Sequence, residues 1–395
     1  LLGFLSGCDY LDIVPDNLPT LEMAFNNKSS AERFLFTCYS FVPEHGKIGT
    51  DPGMDVGDEV WYYSDNSADY SNKTTFWIAK GMQNSNEPLV DYWNGTQWGK
   101  AMFVGIRDCN VFIENIEKVP DLSAYDKETW KAEAKVLKAF YHFWMMRMYG
   151  PIPIIKENIP VSAGEDEVRV VRDKIDDIVT YIVSLIDESV EYLPLNIQNE
   201  AAEMGRITRP AAKAIKAKIL AFAASPFFNG NLDYANFKNA EGEPFFNQVY
   251  DNEKWTKAAD ACLEAIQCAE EAGHGLYEFV DMSSTQLSDE TILSLSNRCK
   301  VTERWNKELV WGCGQSGIRD LQVLCQPWLE SNYSSDDRYH NARNGTFAPT
   351  LAVAETFYTK NGVPMDEDKN YDYSKRYTTQ VATEADKYYI QPGYT

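Results

Sequence analysis

Apolar residues recur at helical spacing through most of the chain, and this periodicity limits the possible folds more than any other feature. Over residues 171–193 the apolar side chains follow the i, i+3, i+4, i+7 pattern of one helix face. A second periodic segment, 126–149, is followed by Gly150 and Pro151, a C-cap glycine and a residue that cannot continue a helix. Strand signal is short and sparse, as at 309–313. The sequence therefore predicts a mainly α fold with little β structure.

Further helices are predicted from the same periodicity and from capping signals. Ser29 and Glu32 form a capping box at the start of one helix. Thr208 precedes another as its N-cap, with Pro210 in the first turn, where the missing N–H costs nothing. The predicted ranges are 29–41, 96–117, 209–225, 253–272 and 349–358. The helix 253–272 carries one apolar side, made of Trp255, Ala258, Ala259, Cys262, Ala265, Ile266 and Ala269.

Alanine is concentrated in the predicted helix 209–225. Small side chains let a neighbouring helix approach closely, so Ala217 and Ala221 are expected at a helix–helix contact. Paired helices with alanine at tight crossings favour a scaffold of tetratricopeptide-like helical hairpins, although no strict repeat of about 34 residues is visible. Long loop insertions near 46–93 and 281–348 interrupt the pairs, and residues 9–395 are expected to form a single domain.

The net charge of −22 at pH 7 limits the possible partners. Nucleic-acid binding and docking onto anionic lipid both need a basic surface, so neither is expected. No internal segment reaches the roughly 18 consecutive apolar residues of a membrane helix. Residues 1–8 are interpreted as the end of an export signal, because Leu5-Ser6-Gly7-Cys8 is similar to the lipobox of bacterial lipoproteins. Cys8 is therefore the expected lipidation site, and its lipid the only membrane attachment.

Known catalytic patterns are scarce in this chain. Its four histidines form no H-E-x-x-H motif and no i, i+4 pair, and there is no G-x-S-x-G, Walker or dinucleotide-binding glycine motif. His142 is expected to be structural, and no metal or cofactor is expected. Four cysteines in helical patterns are expected to be buried thiols, namely Cys38, Cys109, Cys262 and Cys268. An acidic cluster in the first insertion keeps a glycosidase open as an alternative. Its members are Asp51, Asp55, Asp58, Glu59, Asp65 and Asp69.

Aromatic residues make up 13% of the chain, and many stand in the two insertions with polar residues between them. A sugar presents an apolar face of C–H groups and a rim of hydroxyls. Trp and Tyr can cover such a face, while amide, carboxylate and guanidinium groups bind the rim. The alternative is that these aromatics fill small cores beneath the insertions. The residues expected to bind a glycan are Trp61, Tyr62, Asp65, Asn66, Trp77, Trp93, Asn94, Arg319, Trp328 and Asn332.

Several ordered segments resemble the SusD/RagB family of outer-membrane glycan-binding lipoproteins. They are 126–153, 205–212, 255–269, 308–310 and 355–362, preceded by Cys8 and Tyr10-Leu11-Asp12. The resemblance implies four tetratricopeptide-like units, no enzymatic activity and a lid-like role over a TonB-dependent porin. It also implies that the Trp93-Asn94 neighbourhood contributes to the ligand site and that a further C-terminal portion follows position 395.

The favoured function is therefore that of a cell-surface glycan-binding lipoprotein, which captures oligosaccharides for a SusC-like TonB-dependent transporter of the outer membrane. One alternative is a helical-repeat scaffold that binds a peptide or protein, and a less favoured one is a surface glycosidase. Glycan binding would be saturable and would leave every glycosidic bond intact. Peptide binding would be insensitive to changes at Trp61 or Trp328.

Overall fold

The computed structural model describes residues 21–44, 51–62, 74–97, 99–282, 286–314, 325, 347–359, 361–379, 381, 383–384 and 393. The chain divides into two compact units, one made of residues 1–43 and 90–315 and the other of residues 44–89 and 316–395. The described residues are mainly helical, which confirms the predicted fold class, and their strands form a two-stranded sheet. Among these residues, no helix is both long enough and apolar enough to cross a membrane.

The first unit is built from long helices that we number in chain order. They are α1 (Lys28–Tyr39), α2 (Met102–Asn115), α3 (Ala124–Tyr149), α4 (Ile175–Asp187), α5 (Arg209–Ala224), α6 (Glu253–Glu271) and α7 (Asp289–Thr302). A short helical segment, Leu21–Ala24, precedes α1, and others between the long helices are Ile116–Lys118, Glu165–Val168, Val190–Tyr192 and Glu200–Glu203.

Helix α3 forms the centre of the first unit. Its N-cap is Ser123, whose hydroxyl accepts the Asp126 N–H at 3.0 Å, and it ends at Gly150 with φ 70°. Every residue of the segment 136–146 is buried, because α1, α2 and α4 pack around it. A helix that is apolar on nearly all sides is stable only inside such a core.

A buried ion pair ties α3 to the segment that precedes α5. Arg206 binds Glu133 through two nitrogens, with Nη2 2.6 Å from Oε1 and Nε 3.1 Å from Oε2. The third nitrogen, Nη1, lies 2.8 Å from a carboxylate oxygen of Glu203. The Tyr39 hydroxyl donates to Glu133 at 2.5 Å and accepts the Ile207 N–H at 2.8 Å, so α1 joins the same network. The hydrogen bonds satisfy charges that would otherwise be costly to bury.

Helices α5 and α6 form an antiparallel pair at an alanine-lined contact. Ala217 of α5 is buried in a cluster with Ala261 and Ala265 of α6. The pairing is antiparallel, since Lys213 near the start of α5 lies 3.5 Å from Glu264 in the second half of α6. The prediction that Ala217 lies at a helix–helix contact is confirmed, and Ala221 is half-buried.

The buried face of α6 differs from the predicted one. The sequence suggested a single apolar side that includes Trp255, Cys262 and Ile266, but all three are exposed. The helix instead buries Ala258, Ala261, Ala265 and Cys268. The prediction of a buried thiol is therefore wrong for Cys262, whereas Cys38, Cys109 and Cys268 are buried as expected. Helix α6 carries two apolar stripes, and the stripe made of small residues is the one that packs.

The predicted capping box at the start of α1 is wrong. The N-cap is Asn27, whose side-chain oxygen accepts the Ser30 N–H at 2.9 Å. Glu32, the other member of the expected box, lies instead 4.0 Å from the Arg206 guanidinium. The helix therefore begins one residue before the predicted start, at Lys28.

Several predicted helices are longer than the helices in the structure. Residues 96–97 and 99–101 are not helical and α2 begins at Met102; Gly95 and Gln97 adopt left-handed backbone conformations, with φ of 77° and 55°. Residues 171–174 are not helical, and the Asp173 N–H donates to the Ile152 carbonyl at 2.9 Å. The predicted helix 349–358 is reduced to Leu351–Ala354, and 309–313 is irregular backbone with a bend instead of a strand.

The second unit contains the described β structure. Strand β1 (Val60–Tyr62) pairs antiparallel with β2 (Phe347–Pro349), and Trp61 lies opposite Ala348. The Thr350 hydroxyl donates to the Asp58 carbonyl at 2.7 Å, directly after β2. The other regular elements described in this unit are the short helices Pro52–Asp55, Thr74–Ala79, Leu351–Ala354 and Tyr373–Lys375.

Candidate functional site

The predicted glycan-binding residues fall into three groups. Trp93 and Asn94 belong to the first unit, and Trp61, Tyr62 and Trp77 belong to the second. The others lie outside the described residues: Asp65, Asn66, Arg319, Trp328 and Asn332, together with the predicted lipidation site Cys8.

The loop of residues 91–97, called the Trp93 loop below, is held in place by the buried carboxylate of Asp91. One oxygen of Asp91 accepts the Trp93 N–H at 2.8 Å and the Asn94 N–H at 3.0 Å, and the other accepts the Thr96 hydroxyl at 2.7 Å. An Asp that binds the backbone two and three residues ahead holds a tight turn. Gly99 permits the close return of the chain, because a Cβ there would lie 1.8 Å from the Asp91 carbonyl oxygen. The loop is therefore held in one conformation.

The Trp93 ring is half-buried in an aromatic frame. Its centroid lies 4.9 Å from the ring of Phe103 and 5.5 Å from that of Tyr149, both in edge-to-face arrangements. The guanidinium carbon of Arg172 lies 5.2 Å from the Trp93 ring centroid. The Tyr149 hydroxyl accepts the Tyr92 N–H at 2.9 Å, so the end of α3 is connected directly to the loop. Asn94, the next residue, is exposed.

The electrostatics of this loop favour binding over acid catalysis. Burial by itself would raise the pKa of Asp91, but hydrogen bonds from Asn94, Thr96 and Trp93 outweigh it and hold the pKa below its usual range. Burial also raises the pKa of Tyr149. Asp91 therefore stays ionised and accepts hydrogen bonds, whereas a glycosidase acid must carry a proton near neutral pH. The loop can present an aromatic ring, a guanidinium and an amide to a ligand.

Two further predicted aromatics are surface residues of the second unit. Trp61 is 40% exposed and Trp77 is 41% exposed, with the Lys80 ammonium 4.9 Å from the Trp77 ring centroid. Of the acidic cluster in the same unit, Asp51 is buried and its side chain accepts the Gly53 N–H at 2.9 Å as a helix N-cap. Among the described residues, no group of three His, Cys, Asp or Glu side chains is placed to hold a metal ion.

Sequence reasoning missed the residues that support Trp93. Asp91 could have been recognised, because Asp often accepts from backbone N–H groups ahead of it in a turn, and the common turn signal Asn94-Gly95 follows three residues later. Arg172 gave no such signal. It falls inside the predicted helix 171–193, whereas the structure begins that helix at Ile175 and leaves Arg172 beside Trp93, donating to the Pro151 carbonyl.

A family model matches this chain over residues 9–220, more than half of its length. The model is that of the SusD-like proteins, and its description is "Starch-binding associating with outer membrane". The chain therefore belongs to the SusD-like family, which consists of non-catalytic binding proteins. No curated protein matches it.

Solved structures with the same fold include relatives of different similarity. The protein BT4246 is 29% identical with a TM-score of 0.68, and the match covers 87% of this chain and 59% of BT4246. A SusD-like carbohydrate-binding protein from Bacteroides fragilis is 18% identical with a TM-score of 0.55, covering 88% of this chain and 56% of that protein. Surface glycan-binding protein A from Bacteroides uniformis is 16% identical with a TM-score of 0.53, and the match covers 84% of this chain and 61% of that protein. The last two show a shared fold. The chain thus spans about three fifths of the length of these relatives.

Proposed function

We propose that this protein binds a glycan at the cell surface without cleaving it, and that Trp93 forms part of the binding site. The observation that carries the proposal is the Trp93 loop, in which a half-buried indole is framed by Phe103 and Tyr149 and by the guanidinium of Arg172. Membership of a family described as starch-binding supports the choice of a glycan as ligand.

The chemistry of the loop suits a saccharide. An indole covers the C–H face of a sugar ring, and the Asn94 amide can both donate to and accept from its hydroxyls. The guanidinium of Arg172 supplies donors only. Because Asp91 and its hydrogen bonds hold the loop in place, little conformational entropy is lost on binding.

Replacing Trp93 should weaken binding without unfolding the protein. Truncation of an aromatic anchor typically costs about 2 kcal/mol or more, so Trp93→Ala should reduce affinity for maltoheptaose roughly thirtyfold in a calorimetric titration. Trp255→Ala is the matched control, since Trp255 is 43% exposed on α6 and distant in sequence from the loop. Equal maltoheptaose affinity in the wild type and the Trp93 variant would remove Trp93 from the site.

The location and the partner are further parts of the proposal. We propose that Cys8 carries a lipid that anchors the chain to the outer membrane, since several acyl chains at about 0.8 kcal/mol per buried CH₂ give stable attachment. The bound glycan would then pass to a SusC-like TonB-dependent transporter. Metabolic labelling with a fatty-acid analogue tests the anchor: Cys8→Ala should lose the label, and a variant that keeps it would contradict lipidation at this residue.

A further inference from the structure

A cavity of about 400 Å³ lies in the first unit, lined by residues from three segments. The segments are 196–208 before and at the start of α5, 272–274 after α6 and 305–312 after α7. A volume of this size is at the lower end of the range for small-molecule sites in proteins. None of the residues in the Trp93 loop lines it.

Trp305 stands in this cavity with a backbone that is unusual for its residue type. Its φ is 52°, a left-handed conformation that a bulky residue rarely adopts and that glycine adopts freely. The position follows the end of α7, where the Asn306 side-chain amide donates to the carbonyls of Lys300 and Glu303 at 2.8 and 2.9 Å. A glycine would serve this turn with less strain. Strained residues of this kind concentrate at ligand sites, which makes the Trp305 indole a candidate for contact with a ligand.

Two glycines provide the space into which the Trp305 ring projects. A Cβ on Gly205 would lie 3.5 Å from Cη2 of Trp305, and a Cβ on Gly312 would lie 3.2 Å from Cζ3 of the same ring. Trp311, a second indole at the cavity, is oriented by a hydrogen bond from its Nε1 to the Gly205 carbonyl at 3.0 Å and packs edge-on against Phe140. Trp305 remains 36% exposed. Its ring is thus positioned by the protein and still partly open.

The polar side chains around the cavity point to a neutral ligand. Asn196, Glu200 and Lys307 form no side-chain hydrogen bond or ion pair with any part of the chain that the structure describes, so they can meet a ligand. Glu200 and Lys307 bring one negative and one positive charge, which offset each other. Arg206 also borders the cavity, but Glu133 and Glu203 occupy its guanidinium. Glu200 would repel an anion and Lys307 would repel a cation. A neutral polyol can form hydrogen bonds with Asn196, Glu200 and Lys307.

We propose that this cavity is a second saccharide site, separate from the Trp93 loop, in which the Trp305 indole covers the face of a neutral sugar unit. Asn196, Glu200 and Lys307 bind its hydroxyls. The ligand class rests on the proposed function, whereas the site itself rests on the geometry of the cavity. A protein with two such sites holds a glycan chain at two points or binds two chains at once, which raises its avidity.

The test is fluorine NMR on full-length chain labelled with 5-fluorotryptophan, titrated with maltotriose, laminaritriose and cellotriose. The Trp305 resonance is assigned by its loss in Trp305→Phe. In the Trp93→Ala variant, a trisaccharide should still shift the Trp305 resonance in a saturable way. Adding Trp305→Ala to Trp93→Ala should reduce the remaining affinity at least tenfold, and Trp255→Ala should leave that affinity unchanged. Circular dichroism melts establish that each variant is folded, and Trp305→Phe replaces Trp305→Ala if the latter is not.

The outcomes separate this inference from the proposed function. Binding by the wild type that vanishes in Trp93→Ala would overturn the second site and leave the Trp93 site intact. A saturable shift at Trp305 with unchanged affinity in Trp93→Ala would support the second site and contradict the first. No binding of any trisaccharide by the wild type counts against both.

Discussion

His142 is buried in the middle of α3, and both of its ring nitrogens are engaged. Nδ1 lies 2.8 Å from the Lys138 carbonyl, and Nε2 accepts the Ile155 N–H at 3.2 Å. These partners require the neutral ring with its proton on Nδ1, because a carbonyl accepts and an N–H donates. Burial lowers the pKa of His142 to about 4, opposed by the hydrogen bond to Lys138 and assisted by the charge of that lysine. The residue is structural in this core.

This neutral histidine predicts a loss of stability in mild acid. The folded protein binds the proton only below about pH 4, whereas the unfolded chain binds it below about pH 6.5. Unfolding therefore takes up a proton between these values, and stability falls as the pH drops through them, by about 3 kcal/mol in total. Above about pH 6.5 the residue contributes no pH dependence.

Urea unfolding of the wild type and His142→Gln at several pH values measures this effect. Glutamine can still donate and accept but does not titrate, so the difference in unfolding free energy between the two proteins should shrink or reverse towards about pH 4. Carboxylates titrate in both proteins and cancel in the comparison. A difference that is constant from about pH 7 to about pH 4 would show that His142 binds its proton equally in the folded and unfolded chains, and would contradict the lowered pKa.

At the scale of elements, the contact between α5 and α6 depends on small side chains. Ala217, Ala261 and Ala265 meet there, with Leu220 packed against them. Ala217→Leu should overpack this contact and lower the free energy of unfolding by about 1–3 kcal/mol. Ala259→Leu is the matched control, because the same change is made at an exposed position of α6. Equal denaturation midpoints for the two variants would mean that the helices do not pack at Ala217.

Helices α5 and α6 also show that apolar periodicity predicts the range of a helix but does not always predict which face is buried. The ranges of α5 and α6 follow from apolar spacing, Thr208 and Pro210, and the structure agrees to within one residue at either end. The buried face of α6 was mispredicted because the helix carries a second apolar stripe, with Trp255 and Ile266, that stays exposed. Spacing identifies stripes, but the choice between them depends on which one fits the alanines of α5.

The candidate site was harder to predict than the fold, because its residues are brought together by tertiary contacts that local spacing does not reveal. Trp93 and Asn94 were predicted as site residues from aromatic clustering and from the family resemblance. Arg172 lies 79 positions beyond Trp93 in sequence and reaches it only because α4 starts at Ile175. A contact made by two loops has no periodicity, so no local pattern could indicate it.

For the whole molecule, the helical architecture and the family could both be predicted from the sequence. The ordered segments at 126–153 and 205–212 correspond to α3 and to the start of α5, which the Glu133–Arg206 pair joins in the core. These segments resemble the family because they build its scaffold. A scaffold does not specify a ligand, since the loops that bind ligands are supported by it but vary independently. The nature of the glycan therefore rests on measurement.

Glycan binding without cleavage is tested by screening the protein against an array of soluble oligosaccharides. The best binder is then analysed by titration and, after prolonged incubation, by mass spectrometry. We expect saturable binding of at least one glycan, a large loss of affinity in Trp93→Ala, and recovery of the glycan with every glycosidic bond intact. Shorter products that accumulate with time, or binding of an extended peptide in the absence of any glycan binding, would contradict this expectation.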